Sequence, residues 1–276
     1  MTALQLCRKL VDGLDHPEAV AVAPSGELYA GGEAGQVYRM DPTGSFEEIA
    51  RVEGFVAGVT VTADGDLLVC DTVAGRVVRV AADGVVTPFS KGEPIGFPNF
   101  ASFDSRGDLY VTDSGDYYGS DGRLLVVHPS GEVEVVVDGG LYYPNGLAVE
   151  PSGDWLYVAQ SGVSNILRIP LSDAGVGEPE VYATIPGTAP DGLALAANGD
   201  LYVGCYTPDA IYRVLATGQV QPFMVDPWAD LLNRPTNLAF GDGVLYYANL
   251  GGYHIGVVPL DQAGAPLFKG RSKSRA

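Results

Sequence analysis

A turn glycine recurs through this chain at a nearly constant interval, with a short apolar run on either side of it. Aligned on that glycine, six segments begin His16-Pro17-Glu18, Val56-Ala57, Pro98-Asn99, Pro144-Asn145, Pro190-Asp191 and Pro235-Thr236. In the first five, the last-named residue stands eight places before Gly26, Gly65, Gly107, Gly153 and Gly199; the sixth turn, to Gly243, is one residue shorter. Successive column residues are 39, 42, 46, 46 and 45 apart. Strand and turn signals at that period, with no sustained 3.6-residue pattern, restrict the chain to a β-repeat architecture.

The third repeat shows the unit. Residues 99–103 read as a strand, 104–107 as a turn and 109–113 as the return strand; after a longer loop come 123–128, a turn at 129–131 and 133–137. The second repeat does the same over 59–62, 67–70, 76–81 and 85–89. Four short antiparallel strands per repeat make a propeller blade and fit neither a leucine-rich nor a helical repeat. The expectation is an all-β, six-bladed β-propeller of four-stranded antiparallel blades, one domain over residues 1–268, with basic residues 269–276 as a disordered tail. The sixth repeat shows three strands (238–240, 244–248 and 255–259), and N-terminal residues 4–11 read as the strand that completes it. Such closure removes exposed sheet edges. Residues 225–233 are expected to add one short helical turn.

A net charge of −18, from 34 acidic and 16 basic residues, gives no footprint for nucleic acid or for an anionic membrane surface. No segment reaches transmembrane or signal-peptide length, so the expected setting is cytoplasmic. Cys7, Cys70 and Cys205 have no metal-ligand spacing and read as reduced, buried small hydrophobes. Cys70 and Cys205 fall near the ends of equivalent strands, which leaves a disulfide open.

In a propeller the first strand of each blade lines the central channel, so equivalent residues at the starts of those strands form a ring at one mouth. Here the column holds Glu18, Ala57, Asn99, Asn145, Asp191 and Thr236. Glu18, Asn99, Asn145 and Asp191 supply two carboxylates and two amide carbonyls. These hard donors suit one divalent cation, Ca²⁺ first, with Mn²⁺, Mg²⁺, Zn²⁺ and Fe²⁺ as alternatives. Ala57 and Thr236 leave gaps for substrate or water. A lone Asn or Asp beside Pro and Gly is ordinarily a turn residue. Turn chemistry accounts neither for Glu18 nor for four oxygen donors at one repeat position.

The motifs Pro17-Glu18, Pro98-Asn99, Pro144-Asn145-Gly146-Leu147-Ala148, Pro190-Asp191-Gly192-Leu193-Ala194 and Pro235-Thr236-Asn237-Leu238-Ala239-Phe240-Gly241 resemble the regucalcin/gluconolactonase (SMP-30, luciferin-regenerating enzyme-like) family over nearly the whole chain. Relatives of that family include diisopropyl fluorophosphatase and the paraoxonases. The resemblance implies a metal held by Glu18, Asn145 and Asp191, with Asn99 a further ligand or substrate contact. It also implies hydrolysis of a small-molecule lactone or related ester, the metal acting as Lewis acid. Asp191 reads as ligand first, its second oxygen orienting water, with general-base and nucleophile roles left open.

Phe97 stands where sugar-lactone members often carry an arginine. Phe97, Tyr118, Tyr143, Tyr206 and Trp228, with Tyr117 and Tyr142, crowd the loops of the same face and point to a substrate less polar than an aldonolactone. His254 and His16 are candidates for proton transfer. His128 reads as structural, and Asp71, Asp113 and Gln160 end second strands toward the same rim. Rival readings are organophosphate-type hydrolysis at the same metal, diversion to lyase, cyclase or isomerase chemistry, and a non-catalytic metal-binding propeller. No nucleophile elbow, P-loop, dinucleotide fingerprint or zinc motif occurs.

Overall fold

Short strands punctuated by turn glycines assemble into six sheets in the computed structural model, which describes residues 2–92 and 94–271. Blade one comprises Val20–Val22, Leu28–Gly31, Gln36–Met40 and Phe46–Arg51, and blade two Val56–Val61, Leu67–Asp71, Arg76–Val80 and Val86–Pro88. Blade three is Pro98–Phe103, Leu109–Asp113, Gly122–Val127 and Val133–Leu141. Blade four is Pro144–Val149, Trp155–Gln160, Asn165–Ser172 and Glu180–Thr184, with a two-residue hairpin strand, Gly175–Val176, added to its third strand. Blade five is Ala189–Leu195, Leu201–Thr207, Ala210–Val214 and Val220–Val225. Blade six takes Pro235–Gly241, Val244–Asn249 and His254–Pro259 from one end of the chain and Arg8–Asp12 from the other. Arg8 pairs with Val257 and Asp12 with His254, so the ring closes as the sequence predicts.

Second strands such as Leu67–Asp71 and Leu109–Asp113 are buried along their whole length. A blade has neighbours on both faces, so its middle strands lose the polar–apolar alternation of a one-sided sheet. Among the described residues the core divides into six clusters, one at each blade–blade interface, with Tyr110, Tyr202, Tyr247 and Phe103 among the largest fully buried side chains.

Two local expectations are corrected. Residues 4–11 are not all strand, because Ala3–Leu6 forms one turn of helix. Thr2 and Gln5 cap it reciprocally, and that local capping box outweighs strand propensity before the chain straightens at Arg8. Residues 225–233 form no helix: the Asp226 carboxylate accepts from the backbone N–H groups of Trp228, Leu231 and Leu232 and holds an irregular loop. The three cysteines are free and buried. Of the tail expected from 269 onward, residues 272–276 lie outside the described residues, while the Gly270 carbonyl accepts from Ala63 N–H at 2.9 Å. No described helix is long and apolar enough to cross a membrane.

Candidate metal centre and substrate cavity

A register break recurs at the start of the inner strands. It lies between Val56 and Gly58, Pro98 and Ala101, Pro144 and Leu147, Pro190 and Leu193, and Pro235 and Leu238. Each break contains the column residue of its blade. A bulge unpairs a residue and re-aims its side chain, here toward the channel. Glu18 lies just before the inner strand of blade one. Proline opens three of these strands and is the second residue of a fourth, Ala189–Leu195, positions at the strand start where its missing N–H costs the ladder little.

Glycine follows the column residue where neighbouring inner strands crowd together. A Cβ on Gly146 would lie 2.6 Å from Asp191 O, and one on Gly192 would lie 2.7 Å from Thr236 O. The Asn-Gly and Asp-Gly pairs of the sequence are therefore close-approach points between blades.

Three residues immediately before a column proline adopt left-handed backbone: His16 (φ 40°), Tyr143 (φ 52°) and Arg234 (φ 53°). Non-glycine residues there carry strain, and strain of this kind gathers at sites whose surroundings over-determine the chain. Side chains at the ends of second strands supply that restraint. Asp113 accepts from Gly96 and Phe97 N–H at 3.0 and 2.7 Å, Gln160 from Tyr142 N–H at 2.8 Å, and Asn249 from Asn233 N–H at 2.9 Å. Asp71 does the same for Glu53, at 2.9 Å. Asp71, Asp113 and Gln160 thus fix the loops that lead into the column.

Glu18, Asn99, Asn145 and Asp191, all buried, meet on one cavity of about 320 Å³. Three of their oxygens, Asn99 Oδ1, Asn145 Oδ1 and Asp191 Oδ1, are buried without a hydrogen-bond partner. Such atoms are rare in folded proteins and call for a ligand. Asn145 is oriented by its other end: Nδ2 donates to Ser161 Oγ at 3.2 Å, and Ser161 Oγ donates to Pro190 O at 2.6 Å. Burial raises the carboxyl pKa of Glu18 well above the usual range, and the Asp191 charge adds to it. Burial raises Asp191 as well, with Asn145 pulling the other way. Two carboxyls that resist ionising together, with two amide oxygens beside them, fit a divalent cation, which would relieve both the unpaired oxygens and the like-charge contact.

One layer deeper, Asn237 is fully buried, and its Nδ2 donates to Glu18 O at 3.0 Å and Ala57 O at 3.1 Å. Thr236 Oγ1 also donates to Glu18 O, at 2.8 Å. Blade six thereby holds the backbone of the Glu18 segment across the closure seam.

Phe97, Tyr143 and Tyr206 line the cavity. Phe55, Tyr117, Ser161 and Leu250 join them. Tyr117 and Tyr143 pack with ring centroids 5.0 Å apart. The Tyr143 hydroxyl is pushed up to about 12 by burial and by the Glu18 and Asp191 charges, so it stays a neutral donor. Arg234 Nη1 donates to Tyr206 Oη at 2.9 Å on the outer side of the wall.

Four sequence candidates fall elsewhere. Tyr118 and Trp228 are 94% and 82% exposed and do not line the cavity. His254 is buried inside blade six, where Nδ1 donates to Gly252 O at 2.8 Å and Nε2 meets Asn249 Nδ2 at 2.9 Å. The ring is turned into the blade rather than into the cavity, and burial lowers its pKa. His16 is also outside the cavity. Its Nδ1 contacts Asp15 Oδ1 at 3.0 Å and Glu33 Oε2 at 2.8 Å, and its ring packs at a tilt against Tyr253, centroids 4.3 Å apart. Asp15, His16 and Glu33 could together hold an ion, but both carboxylates address one imidazole nitrogen, as hydrogen-bond acceptors do.

Ser161 was legible as the residue after Gln160 in the second-strand column, and Asn237 as the neighbour of Thr236. Phe55 and Leu250 carry no sequence signal that separates them from ordinary loop residues.

With this geometry in view, comparison with known proteins is direct. A family model described as SMP-30/gluconolactonase/LRE-like region matches residues 32–246, and one for the strictosidine synthase-like N-terminal region matches residues 2–40. The protein Strictosidine Synthase-Like 10 of Arabidopsis thaliana is 25% identical over 244 residues, covering 75% of this chain and 65% of that protein. The chain spans less than two thirds of the length of the curated relatives it first matches. A gluconolactonase structure from Xanthomonas campestris superposes with a TM-score of 0.79 at 21% identity, over 92% of this chain and 89% of the other. A calcium-binding regucalcin from Agrobacterium tumefaciens superposes with a TM-score of 0.76 at 16% identity, over 95% of each chain. The chain belongs to the SMP-30/gluconolactonase/LRE-like family.

Proposed function

We propose that this SMP-30/gluconolactonase-like propeller is a divalent-metal-dependent hydrolase of the lactonase type, acting on a lactone or related ester of low polarity. The observation that carries the reading is the trio of unpartnered buried oxygens, on Asn99, Asn145 and Asp191, facing one cavity together with Glu18. Oxygen donors only, two of them acidic, suit calcium first. The calcium-binding regucalcin among the structural neighbours supports that choice. When bound, such an ion supplies Lewis-acid polarisation of an ester carbonyl.

The chain's own residues do the rest. Glu18 and Asp191 balance the charge at the floor of the cavity, and Ser161 keeps the Asn145 carbonyl turned inward. Phe55, Phe97, Tyr117, Tyr143 and Leu250 seat the apolar part of the substrate and exclude bulk water. Tyr143 offers a hydroxyl donor to a substrate oxygen. The second oxygen of Asp191 orients the attacking water, accepts its proton and passes it to the departing alkoxide as the ester C–O bond breaks. His16, at the rim, is near enough in sequence to tune the Glu18 segment but takes no part in bond breaking. Three free, buried cysteines suit a reducing compartment, in keeping with a cytoplasmic enzyme.

A second reading has its own support. The strictosidine synthase-like relatives, and the match of residues 2–40 to that family's N-terminal region, favour chemistry other than hydrolysis on the same cavity.

The deciding experiment is turnover of a lactone and ester panel by metal-stripped protein, with Ca²⁺, Mn²⁺, Mg²⁺, Zn²⁺ or Fe²⁺ restored singly and products weighed by mass spectrometry. Aliphatic and aryl lactones should gain one water in a metal-restored reaction that Asp191→Ala reduces at least 100-fold, with aldonolactones slower. Metal binding without hydrolysis of any substrate would refute the lactonase reading and move the case to the second.

A further inference from the structure

Below the oxygen ring, toward the opposite face, the same inner strands enclose a second cavity of about 370 Å³. Its walls are residues further along those strands, among them Val22, Val61, Leu147, Leu195 and Phe240. Its roof is the segment after blade six, residues 263–270. Ala197 N–H donates to Ala263 O at 2.9 Å and Ala265 N–H to Leu195 O at 2.8 Å, which anchors the segment on blade five. The bond from Ala63 N–H to Gly270 O anchors its other end on blade two. Blades five and two stand opposite one another in a ring of six, so the segment is a strap across the diameter of the mouth. Phe268 packs into the interfaces of blade three with both of its neighbours and holds the strap down.

Charge makes this cavity unlike the rest of the molecule. The chain carries 34 acidic residues, yet among the described residues no Asp or Glu lines it, and the one charged lining residue among them is Lys269 on the strap. Lys269 is half-buried, has no ion pair among the described residues, and has its pKa lowered by burial alone. An unpaired, partly desolvated ammonium at the edge of an apolar chamber is complementary to one kind of ligand: a long apolar body with a single anionic end. The volume lies at the small end of the range for ligand pockets, enough for one chain and not for a bulky polycycle.

We propose that this second cavity is a binding site for a single-chain aliphatic carboxylate, with its hydrocarbon tail between the inner strands and its carboxylate on Lys269. The ligand would tie the strap to the channel wall and cover apolar surface now facing the opening. This site is separate from the oxygen ring and does not rest on the lactonase reading.

Calorimetric titration of the metal-free full chain with hexanoate, octanoate, decanoate and dodecanoate, and with the matching alcohols, tests it. At about 0.15 M salt the repulsion of the distant acidic surface is screened beyond roughly 8 Å. Binding should be one to one, and affinity should rise about fourfold per methylene until the chamber is full. Decanoate should bind at least tenfold tighter than decanol. Lys269→Gln should remove that preference and leave decanol binding unchanged. Ala239→Phe, which fills the chamber, should abolish binding of both, whereas Tyr143→Ala in the upper cavity should change neither. Absence of saturable binding overturns the proposal. So does a carboxylate preference that survives Lys269→Gln, and so does binding that Tyr143→Ala removes and Ala239→Phe spares.

Discussion

Asn237→Ala is the most revealing single substitution at the seam between the first and last blades. The amide is fully buried, and its two donors go to Glu18 O and Ala57 O. Glu18 O keeps other donors after the change, Thr236 Oγ1 at 2.8 Å and Asn237 N–H at 3.3 Å, so its loss is slight. Ala57 O sits in the register break between Val56 and Gly58, where the ladder is interrupted, and loses its side-chain donor. An unsatisfied buried carbonyl costs about 1–3 kcal/mol, and the void adds about 1 kcal/mol. The sum is roughly 2–4 kcal/mol. Unfolding entropy near 2.1 cal/mol/K per residue gives about 0.6 kcal/mol/K for 276 residues, so the melting temperature should fall by about 3–7 °C. Divalent-ion affinity should drop at least tenfold as well, because the Glu18 backbone loses a restraint. Thr236→Val, which leaves Glu18 O with both Asn237 donors, should cost under about 1 kcal/mol. Thermal melts and ion titrations of the two variants decide the matter. If Asn237→Ala melts within 2 °C of the parent with unchanged ion affinity, the closure-seam argument is wrong.

Three further outcomes are expected. A divalent ion at 100 times its dissociation constant should stabilise the protein by about 2.7 kcal/mol, and Asp191→Asn should abolish that gain, as read by melting with and without chelator. Gly146→Ala, whose Cβ would lie 2.6 Å from Asp191 O, should destabilise by about 1–3 kcal/mol and weaken ion binding; a neutral result in denaturant titration would contradict the close approach of blades four and five. Burial lowers the folded pKa of His254 below the ordinary 6.5, so the unfolded chain binds the proton more readily. Its contribution is therefore complete above about pH 6.5 and is lost as pH falls below it, and His254→Gln should flatten the stability profile over that acid window without changing the pH dependence of turnover.

The architecture was legible because the turn glycines and column residues repeat at fixed distance, and a repeat of that length leaves few alternatives. The ring was legible for the same reason: Glu18, Asn99, Asn145 and Asp191 occupy one position of the repeat, and the fold turns one position into one place. What escaped was whatever does not repeat. Thr2 and Gln5 make a helical turn from a local pair of hydrogen bonds, although Leu4 to Val11 is apolar enough for a strand. His254 follows a loop on the correct face, but it is also the first residue of a strand, and its ring turns into the blade. Tyr118 and Trp228 share composition with Tyr143 and Tyr206, and only the path of each loop decides which aromatic faces the cavity and which faces solvent. The bulges that aim the column inward leave no residue signature beyond the proline and glycine beside them.

The two-ended construction of blade six sets an order of events during synthesis. Arg8–Asp12 emerges early, but its partner His254–Pro259 is made some 240 residues later, roughly 12–50 s at ordinary ribosomal rates. Blades one to five can each pair within their own stretch of chain as it appears. The last blade must capture a strand that has waited unpaired throughout, and the Glu18 segment next to it stays unrestrained until Thr236 and Asn237 arrive. The oxygen ring is therefore completed only once the last blade has been made, and a ribosome-stalled chain lacking that blade would hold most of the fold and an unfinished ring.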